Sequence, residues 1–252
     1  MIRSMALHTV NMDNLAACER WYWTKHGPEL YRRYEPWLVR FESFRAVAVP
    51  DAEKVTEYGI TNWMATSGYW REVPEPGPKG EMSLSTPPEH AYSFGICVPP
   101  QCTEDYKGSE LTPGDLAPLR WVQLYRWPEG VTREEADQYY NEILAPQITA
   151  CEEVRRFFSF RALEEDVRFP GEWTEEAKKT MKGGPEDHHW DRMSEIWFYG
   201  FEDWRTFLTR SFPAPSWAVR DHYPFVAQKD FVSGFLLERP AYNWKLENHT
   251  YL

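Results

Sequence analysis

The chain has 252 residues and a formal net charge of −11 at pH 7, with 42% hydrophobic and 16% aromatic residues. This apolar content is typical of a globular protein, built as one large domain or two small ones. The acidic charge argues against nucleic acid as a partner, because a phosphate backbone binds basic surfaces. The chain shows no signal-peptide core and no run that spans a bilayer. We therefore expect a cytoplasmic protein without a membrane partner.

The four cysteines form no metal-binding pattern. Cys18, Cys97, Cys102 and Cys151 include no C-x-x-C pair, and the separation of Cys97 from Cys102 is not that of a common zinc knuckle. We interpret each of them as a small buried hydrophobic residue.

The first half of the chain predicts one helix among four strands. Asn14 is a plausible N-cap for an amphipathic helix that ends at the Gly27-Pro28 stop signal. A second helix is degenerate, because the region 71–89 is rich in proline. Alternating apolar residues predict strands at 5–12, 39–49, 58–66 and 91–98.

The second half repeats this order. Thr132 and Glu135 form a capping box at the start of its first helix, and EDWRTFLTR (202–210) predicts a second helix. An insertion at about 164–187 holds one short predicted helix at 174–181. Strands are predicted at 120–127, 154–163, 193–201 and 231–238.

The two halves also match residue by residue. Trp21-Tyr22 aligns with Tyr139-Tyr140, Gly27-Pro28 aligns with Ala145-Pro146, and both halves contain Ser-Phe-Arg-Ala in the next strand. This order of elements predicts two β-α-β-β-α-β units of ferredoxin-like type from a tandem duplication. Because each sheet leaves one face bare, the two should cover each other. The predicted fold class is α+β, with two ferredoxin-like repeats forming a pseudo-dimeric α+β barrel.

The expected boundaries follow from this repeat. Repeat one is predicted at 1–100, a turn-rich linker at 101–118, repeat two with its insertion at 119–240, and a C-terminal tail at 241–252.

An amphipathic helix that ends in aromatic-x-x-x-His-Gly-Pro resembles the dimeric α+β barrel superfamily, most closely its EthD-like branch. Tyr22, Trp23, His26 and Gly27-Pro28 carry the resemblance, and His26 aligns with Leu144 in the second half. The superfamily includes lactone isomerases, polyketide cyclases, decarboxylases, cofactor-free monooxygenases and haem enzymes. Most members dimerise to build the barrel, so the resemblance implies that this chain is similar to a fused dimer.

His26 is the first candidate catalytic residue. The helix dipole favours its protonated form, whereas burial among aromatic rings favours its neutral form. Both are compatible with proton transfer near neutral pH, and the resemblance implies such a role in members without cofactors. The alternative is a capping histidine that hydrogen-bonds the last carbonyl groups of the helix.

The predicted strands supply further candidates. Trp121 and Tyr125 alternate with Val122 and Leu124, and we expect the aromatic face to line the barrel interior. Arg45 and its counterpart Arg161 are candidates for binding an anionic substrate or enolate, with a surface ion pair as the alternative. We expect a substrate pocket between the two sheets, lined by Trp63, Trp121, Tyr125 and Trp197.

The segment HHWDRMSEIW contains His188, His189, Asp191 and Glu195. Adjacent histidines on a strand point to opposite faces, so we predict no metal site, and we expect His188 to polarise a substrate oxygen. No residue matches the axial histidine of the haem-binding relatives. No G-x-G-x-x-G or P-loop motif is present, so we expect no cofactor.

The sequence thus predicts a cofactor-independent lyase, isomerase or cyclase. On a small aromatic or polyketide-like substrate, His26 would transfer a proton by acid–base catalysis, and Arg45 or His188 would polarise a substrate oxygen. Two alternatives stay open: a cofactor-free monooxygenase of an electron-rich phenol, and a non-catalytic binding protein for a small hydrophobic ligand. A homodimer is a further expectation, through the edge strands and inserts.

Overall fold

The computed structural model describes residues 1–34, 37–71, 91–108, 119–163, 190–218, 231–237 and 242–245. In chain order, its strands begin with β1 (Ile2–Val10), β2 (Leu38–Arg45), β3 (Met64–Trp70), β4 (Ala91–Val98) and β5 (Glu104–Lys107). The later strands are β6 (Leu119–Tyr125), β7 (Arg156–Arg161), β8 (Arg192–Phe198), β9 (Phe231–Leu237) and β10 (Tyr242–Lys245). The helices are α1 (Leu15–Trp21), α2 (Gly27–Tyr34), α3 (Ala52–Glu57), α4 (Arg133–Tyr139), α5 (Ala145–Thr149) and α6 (Phe201–Leu208).

The strands form two antiparallel sheets with the same internal order. The first sheet has the order β10-β2-β3-β1-β4, and the second has the order β5-β7-β8-β6-β9. Without its outer strand, each sheet has the order of a ferredoxin-like unit, in which the first strand lies between the third and the fourth. The predicted pair of ferredoxin-like repeats is therefore confirmed.

Each repeat contributes one edge strand to the sheet of the other. β5 follows the first repeat along the chain but pairs with β7 of the second sheet. β10 follows the second repeat but pairs with β2 of the first sheet. Both strands fall in segments that the sequence predicts to be linker and tail. Both strands are short, and the alternation of apolar and polar residues in them is weak. Their pairing satisfies backbone groups of β7 and β2 that would otherwise lie at an open sheet edge.

Backbone hydrogen bonds between the sheets close the barrel on both sides. Beyond the end of β2, the amide of Val47 donates to the carbonyl of Phe235 in β9 over 2.8 Å. On the other side, the amide of Leu163 donates to the carbonyl of Cys97 in β4 over 2.9 Å. The structure thus has the predicted pseudo-dimeric α+β barrel architecture.

The barrel interior is filled mainly by apolar side chains from both sheets. Val122 and Leu124 of β6 pack there against residues such as Met5 and Leu7 of β1. Trp121 belongs instead to the core between the second sheet and its helices. The expectation that the aromatic face of β6 lines the interior is wrong. Alternation fixes which residues share a face, but only the packed partners decide which face points inward.

The first helix of each repeat continues past the predicted stop signal through one π-helical turn. Tyr22–His26 forms this turn in the first repeat, and Tyr140–Leu144 forms it in the second. Each turn is followed at once by Gly27-Pro28 or Ala145-Pro146. Because proline lacks an N–H group, the wider turn accommodates it without ending the helix. The predicted helix end at Gly27-Pro28 is therefore wrong, and α2 continues to Tyr34.

The insertion at 164–187 and its predicted helix at 174–181 lie outside the described residues. Within the ranges described above, no helix is long and apolar enough to cross a membrane.

Candidate functional site

The strand registers allow the helix-facing sides of the two sheets to be compared position by position. Arg3 of β1 lies opposite Tyr69 and Val98, and Arg120 of β6 lies opposite Trp197 and Leu236. These arginines are therefore structurally equivalent. Counting from them, the equivalent helix-facing residues are Ser4 and Trp121, Ala6 and Gln123, His8 and Tyr125, Ser93 and Phe231, Gly95 and Ser233, and Cys97 and Phe235.

At Ser4, Ser93 and Cys97 the first repeat has small side chains where the second has large aromatic ones. We call this surface the small-residue face; it consists of Ser4, Ala6, His8, Ser93, Gly95 and Cys97. In the second repeat, Trp121, Phe231 and Phe235 are fully buried beneath α6. In the first, Ser4, Ala6, His8 and Ser93 are each only partly buried. The second repeat thus fills this layer with large side chains of its own core, whereas the described residues of the first repeat place mostly small side chains there.

A series of aromatic rings borders the small-residue face. The ring of His8 lies 6.0 Å from that of Trp63, which lies 6.0 Å from that of Tyr22. The Nε2 atom of His8 and the hydroxyl of Thr66 share a hydrogen bond of 3.0 Å. Sequence reasoning missed His8, although strand alternation places it on the same face as Ser4 and Ala6.

His26 lies in the π-helical turn that packs above this sheet. Its imidazole stacks on Trp21 with ring centroids 4.6 Å apart, and it lies 5.7 Å from the ring of Tyr22. Its buried Nδ1 atom has no hydrogen-bond partner in the described part of the chain. Burial lowers the pKa of His26 to about 4, despite the opposing charge of Glu29. The imidazole is therefore neutral at pH 7 and can accept a proton.

The capping role considered for His26 does not fit this geometry. A C-capping side chain satisfies the last carbonyl groups of a helix. Here the helix continues from Gly27 to Tyr34, so His26 is an internal residue of a longer helical segment.

The hydroxyl of Tyr22 is buried and lies 2.9 Å from the hydroxyl of Ser43 on β2. Burial raises the pKa of Tyr22 above its ordinary value, so the phenol stays protonated at neutral pH. The residue is therefore a neutral hydrogen-bonding group beneath His26.

Arg45 and Arg161 occupy equivalent places and have equivalent partners. Arg45 forms a two-pronged ion pair with Glu19 of α1, and Arg161 pairs with Asp137 of α4 over 3.4 Å. Their side chains are 48% and 40% exposed. The geometry in both repeats favours the ion-pair alternative. A role for either arginine in binding substrate stays a prediction.

Glu19 binds several side chains at the edge of the site. Besides Arg45, it accepts hydrogen bonds from the indole N–H groups of Trp23 at 2.8 Å and Trp63 at 2.5 Å. Burial alone would raise the pKa of Glu19, but these bonds and the charge of Arg45 lower it. Glu19 is therefore an anionic anchor that holds Trp63 in place.

The four aromatic residues predicted to line one pocket do not come together. Trp63 borders the small-residue face, whereas Trp121 and Tyr125 lie in the aromatic core of the second repeat. Trp197 lies beside Arg120 in the barrel interior. The expected pocket between the sheets is therefore not formed by these side chains. His188 lies outside the described residues.

A second polar cluster, also missed by sequence reasoning, lies inside the barrel. Glu195 of β8 pairs with Arg3 over 3.0 Å and lies 3.5 Å from Arg120. The three side chains are only 5–7% exposed. Strand alternation offers the missing signal, since Arg3 is in phase with Met5, and Arg120 with Val122.

Comparisons with known proteins agree with this description of the fold. Residues 1–106 match the family model of the chalcone isomerase N-terminal domain. No curated protein matches the chain. An anthrone oxidase-like protein of known structure is similar, with 10% identity, a TM-score of 0.51, and coverage of 98% of this chain and 93% of that one. A chlorite dismutase from Candidatus Nitrospira defluvii matches with 9% identity, a TM-score of 0.45, and coverage of 93% and 90%.

The family match covers the first repeat together with β5. The small-residue face and His26 both belong to this part of the chain. The anthrone oxidase-like structure spans both repeats, and at this level of identity it supports the fold alone.

Proposed function

We propose that the chain is a cofactor-independent enzyme that transfers protons on a small aromatic or polyketide-like substrate. The substrate would lie on the small-residue face of the first repeat. The observation that carries this proposal is the neutral imidazole of His26, whose buried Nδ1 atom has no hydrogen-bond partner within the described residues. A proton acceptor of this kind suits an isomerase, cyclase or lyase step.

In this mechanism, His26 accepts a proton from an acidic C–H or O–H group of the substrate. Trp21 stacks on the imidazole and is only partly buried, so its ring can border a planar substrate held beside His26. Because the free imidazole has a pKa of about 4, the acid limb of kcat/KM should lie near pH 4.

The asymmetry of the repeats supports a single site of this type. The residue equivalent to His26 is Leu144, which is fully buried, and the equivalent face is filled by aromatic side chains. We propose that the two repeats arose by tandem duplication and that only the first kept the catalytic layer. Assignment to the EthD-like branch, rather than another branch of the barrel class, is likewise a proposal.

The similarity to the chalcone isomerase domain and to the anthrone oxidase-like protein suggests which substrates to try. Chalcones, anthrones and related phenolic ketones combine a planar ring system with an acidic hydrogen. Turnover of such a panel by the purified protein is measured by absorbance.

His26→Gln should lower kcat/KM by about 100-fold or more, the usual contribution of an acid–base residue. The melting temperature at pH 7 should change little, because glutamine is polar, uncharged and similar in length. Lys25→Gln is a matched control, since Lys25 lies in the same helical turn and is exposed. Equal activity of wild type and His26→Gln would refute the role of His26.

The second candidate function is cofactor-free oxygenation of an electron-rich phenol. The similarity to the anthrone oxidase-like protein favours testing it, although that similarity concerns the fold. Oxygen uptake in step with substrate loss would assign oxygenation, whereas turnover without it would assign a proton-transfer reaction. Tight binding of the panel without turnover, unaffected by His26→Gln, would instead show a non-catalytic binding protein.

A further inference from the structure

One end of the barrel interior holds two buried arginines with different polar partners. Arg3 and Arg120 are each the second residue of their strands, and both point between the sheets toward the single carboxylate of Glu195. The nearby carboxylate of Glu42 is already paired with Arg40. Among the described residues, Arg3 and Arg120 therefore share one carboxylate, that of Glu195, as their ion-pair partner. We call Arg3, Arg120 and Glu195 the interior arginine cluster.

The two arginines differ in how many of their N–H groups have a hydrogen-bond partner. Arg3 donates from Nη2 to Glu195 over 3.0 Å and from Nε to the hydroxyl of Ser67 over 3.1 Å. Arg120 has only the longer contact of 3.5 Å from Nη1 to Glu195. Among the residues that the structure describes, its buried Nε and Nη2 atoms have no hydrogen-bond partner. Buried donors of a charged group are costly to leave unpaired, so this arrangement suits a ligand that accepts from them.

The unpaired atoms also have a specific geometry. Nε and Nη2 form one edge of the planar guanidinium group, and their two N–H bonds point the same way. This fork matches the two oxygen atoms of a carboxylate, which it binds through parallel hydrogen bonds. A spherical or tetrahedral anion uses this edge less well.

Aromatic rings surround the same group. The guanidinium carbon of Arg120 lies 4.4 Å from the ring centre of Phe44 and 5.6 Å from that of Trp197. Arg3 lies 5.0 Å from the ring centre of Phe160. Such surroundings favour an anion that also carries a flat apolar group.

We propose that the interior arginine cluster is a binding site for a small aromatic carboxylate, held by the Nε–Nη2 edge of Arg120. This site is separate from the small-residue face, because it lies on the opposite side of the first sheet. The proposal does not depend on the function proposed for His26. The bound carboxylate would accept from the two donor atoms of Arg120 that the described residues leave unpaired.

Benzoate is the probe, and binding is measured by calorimetry and by the shift in melting temperature. Benzamide has the same shape without the charge, and inorganic phosphate has charge without the planar carboxylate. We expect benzoate to bind. Benzamide and phosphate should bind at least on the order of tenfold more weakly, because each loses one charge-assisted pair of hydrogen bonds. Phosphate binding as tight as benzoate, or no benzoate binding at all, would overturn the proposal.

Arg120→Met should abolish benzoate binding while the protein stays folded, because Arg3 and Glu195 remain as a balanced pair. Arg126→Met is the matched control, since Arg126 follows the other end of the same strand and lies against Trp190. If the methionine variant does not fold, Arg120→Lys keeps the charge without the planar edge and should weaken binding on the order of tenfold. Benzoate binding that survives substitution of Arg120 would refute the site.

Discussion

The imidazole of His26 stacks on Trp21, and its Nδ1 atom is buried without a hydrogen-bond partner from the described segments. Histidine ordinarily titrates near neutral pH, where it can serve as acid or base. Burial removes that ambiguity, because the charged form loses its hydration, and the pKa falls to about 4. At the residue scale, the surroundings therefore keep His26 neutral over the whole physiological range.

The same shift predicts a pH dependence of stability. In the unfolded chain, His26 recovers its ordinary pKa of 6.5, compared with about 4 in the folded state. Between these values the unfolded state binds the proton more readily, so the free energy of unfolding should fall as the pH is lowered through this window. Above it, both states are neutral and His26 makes no pH-dependent contribution.

Urea unfolding of wild type and His26→Gln tests this prediction. It is measured at about pH 7.5, which lies above the window, and at about pH 4.5, which lies near its lower end. The variant should lose less stability on acidification than wild type, because carboxylates titrate in both proteins and only wild type has the imidazole. An equal loss in the two proteins would show that His26 is not buried as described.

At the scale of elements, the two repeats share a backbone and differ in what they place on it. Both contain a π-helical turn directly before a proline, so this turn follows from the missing N–H group and not from catalysis. The difference lies on the strands. β1 and β4 present small residues to the helix layer, where β6 and β9 present Trp121, Phe231 and Phe235.

This difference predicts that the small-residue face can be closed by a single residue of the second repeat. Ser93→Phe introduces the side chain of its equivalent, Phe231, and should raise KM about tenfold or more by occupying the substrate's place. Stability should be retained, because Ser93 is only partly buried. The measurement is KM and kcat on a substrate from the panel described above.

Ser211→Phe is the matched control for this experiment, since Ser211 is exposed on the second repeat and should tolerate the same exchange. Normal kinetics in Ser93→Phe would place the substrate elsewhere.

At the scale of the whole molecule, the repeats are tied together by exchanged edge strands, by backbone bonds and by buried charge. Glu195 belongs to the second repeat and pairs with Arg3 of the first over 3.0 Å. Burial would raise the pKa of Glu195, but Arg120 and Arg3 together lower it. The carboxylate is therefore ionised and bridges the two sheets through the barrel interior.

Replacing this carboxylate should destabilise the folded chain. Glu195→Gln leaves two buried guanidinium groups without an anion, and loss of one partner from a buried ion pair costs about 3–5 kcal/mol. Glu202→Gln is the control, because Glu202 forms a surface ion pair and its side chain is 86% exposed. Its free energy of unfolding should change by less than about 1 kcal/mol. Denaturant unfolding that shows equal stability for both variants would contradict the bridging role.

Much of the fold could be read from local patterns. The Ser-Phe-Arg-Ala repeat, the capping box at Thr132 and the alternation of β4 each depend on neighbours in the chain, and each lies where it is predicted. The exchanged strands β5 and β10 could not be found in this way, because their pairing partners lie far away in sequence and their own alternation is weak. The predicted domain boundaries stay a prediction.

The sequence by itself determined that two ferredoxin-like repeats form a barrel and that only the first has a histidine in the helical turn. It determined which residues share a strand face, since alternation is a local property. Only the tertiary structure decided which face points inward, and so separated Trp121 and Tyr125 from Trp197. It also decided that His26 is neutral and that Arg3, Arg120 and Glu195 meet. Burial and long-range contact set these properties, and both depend on residues far apart in the chain.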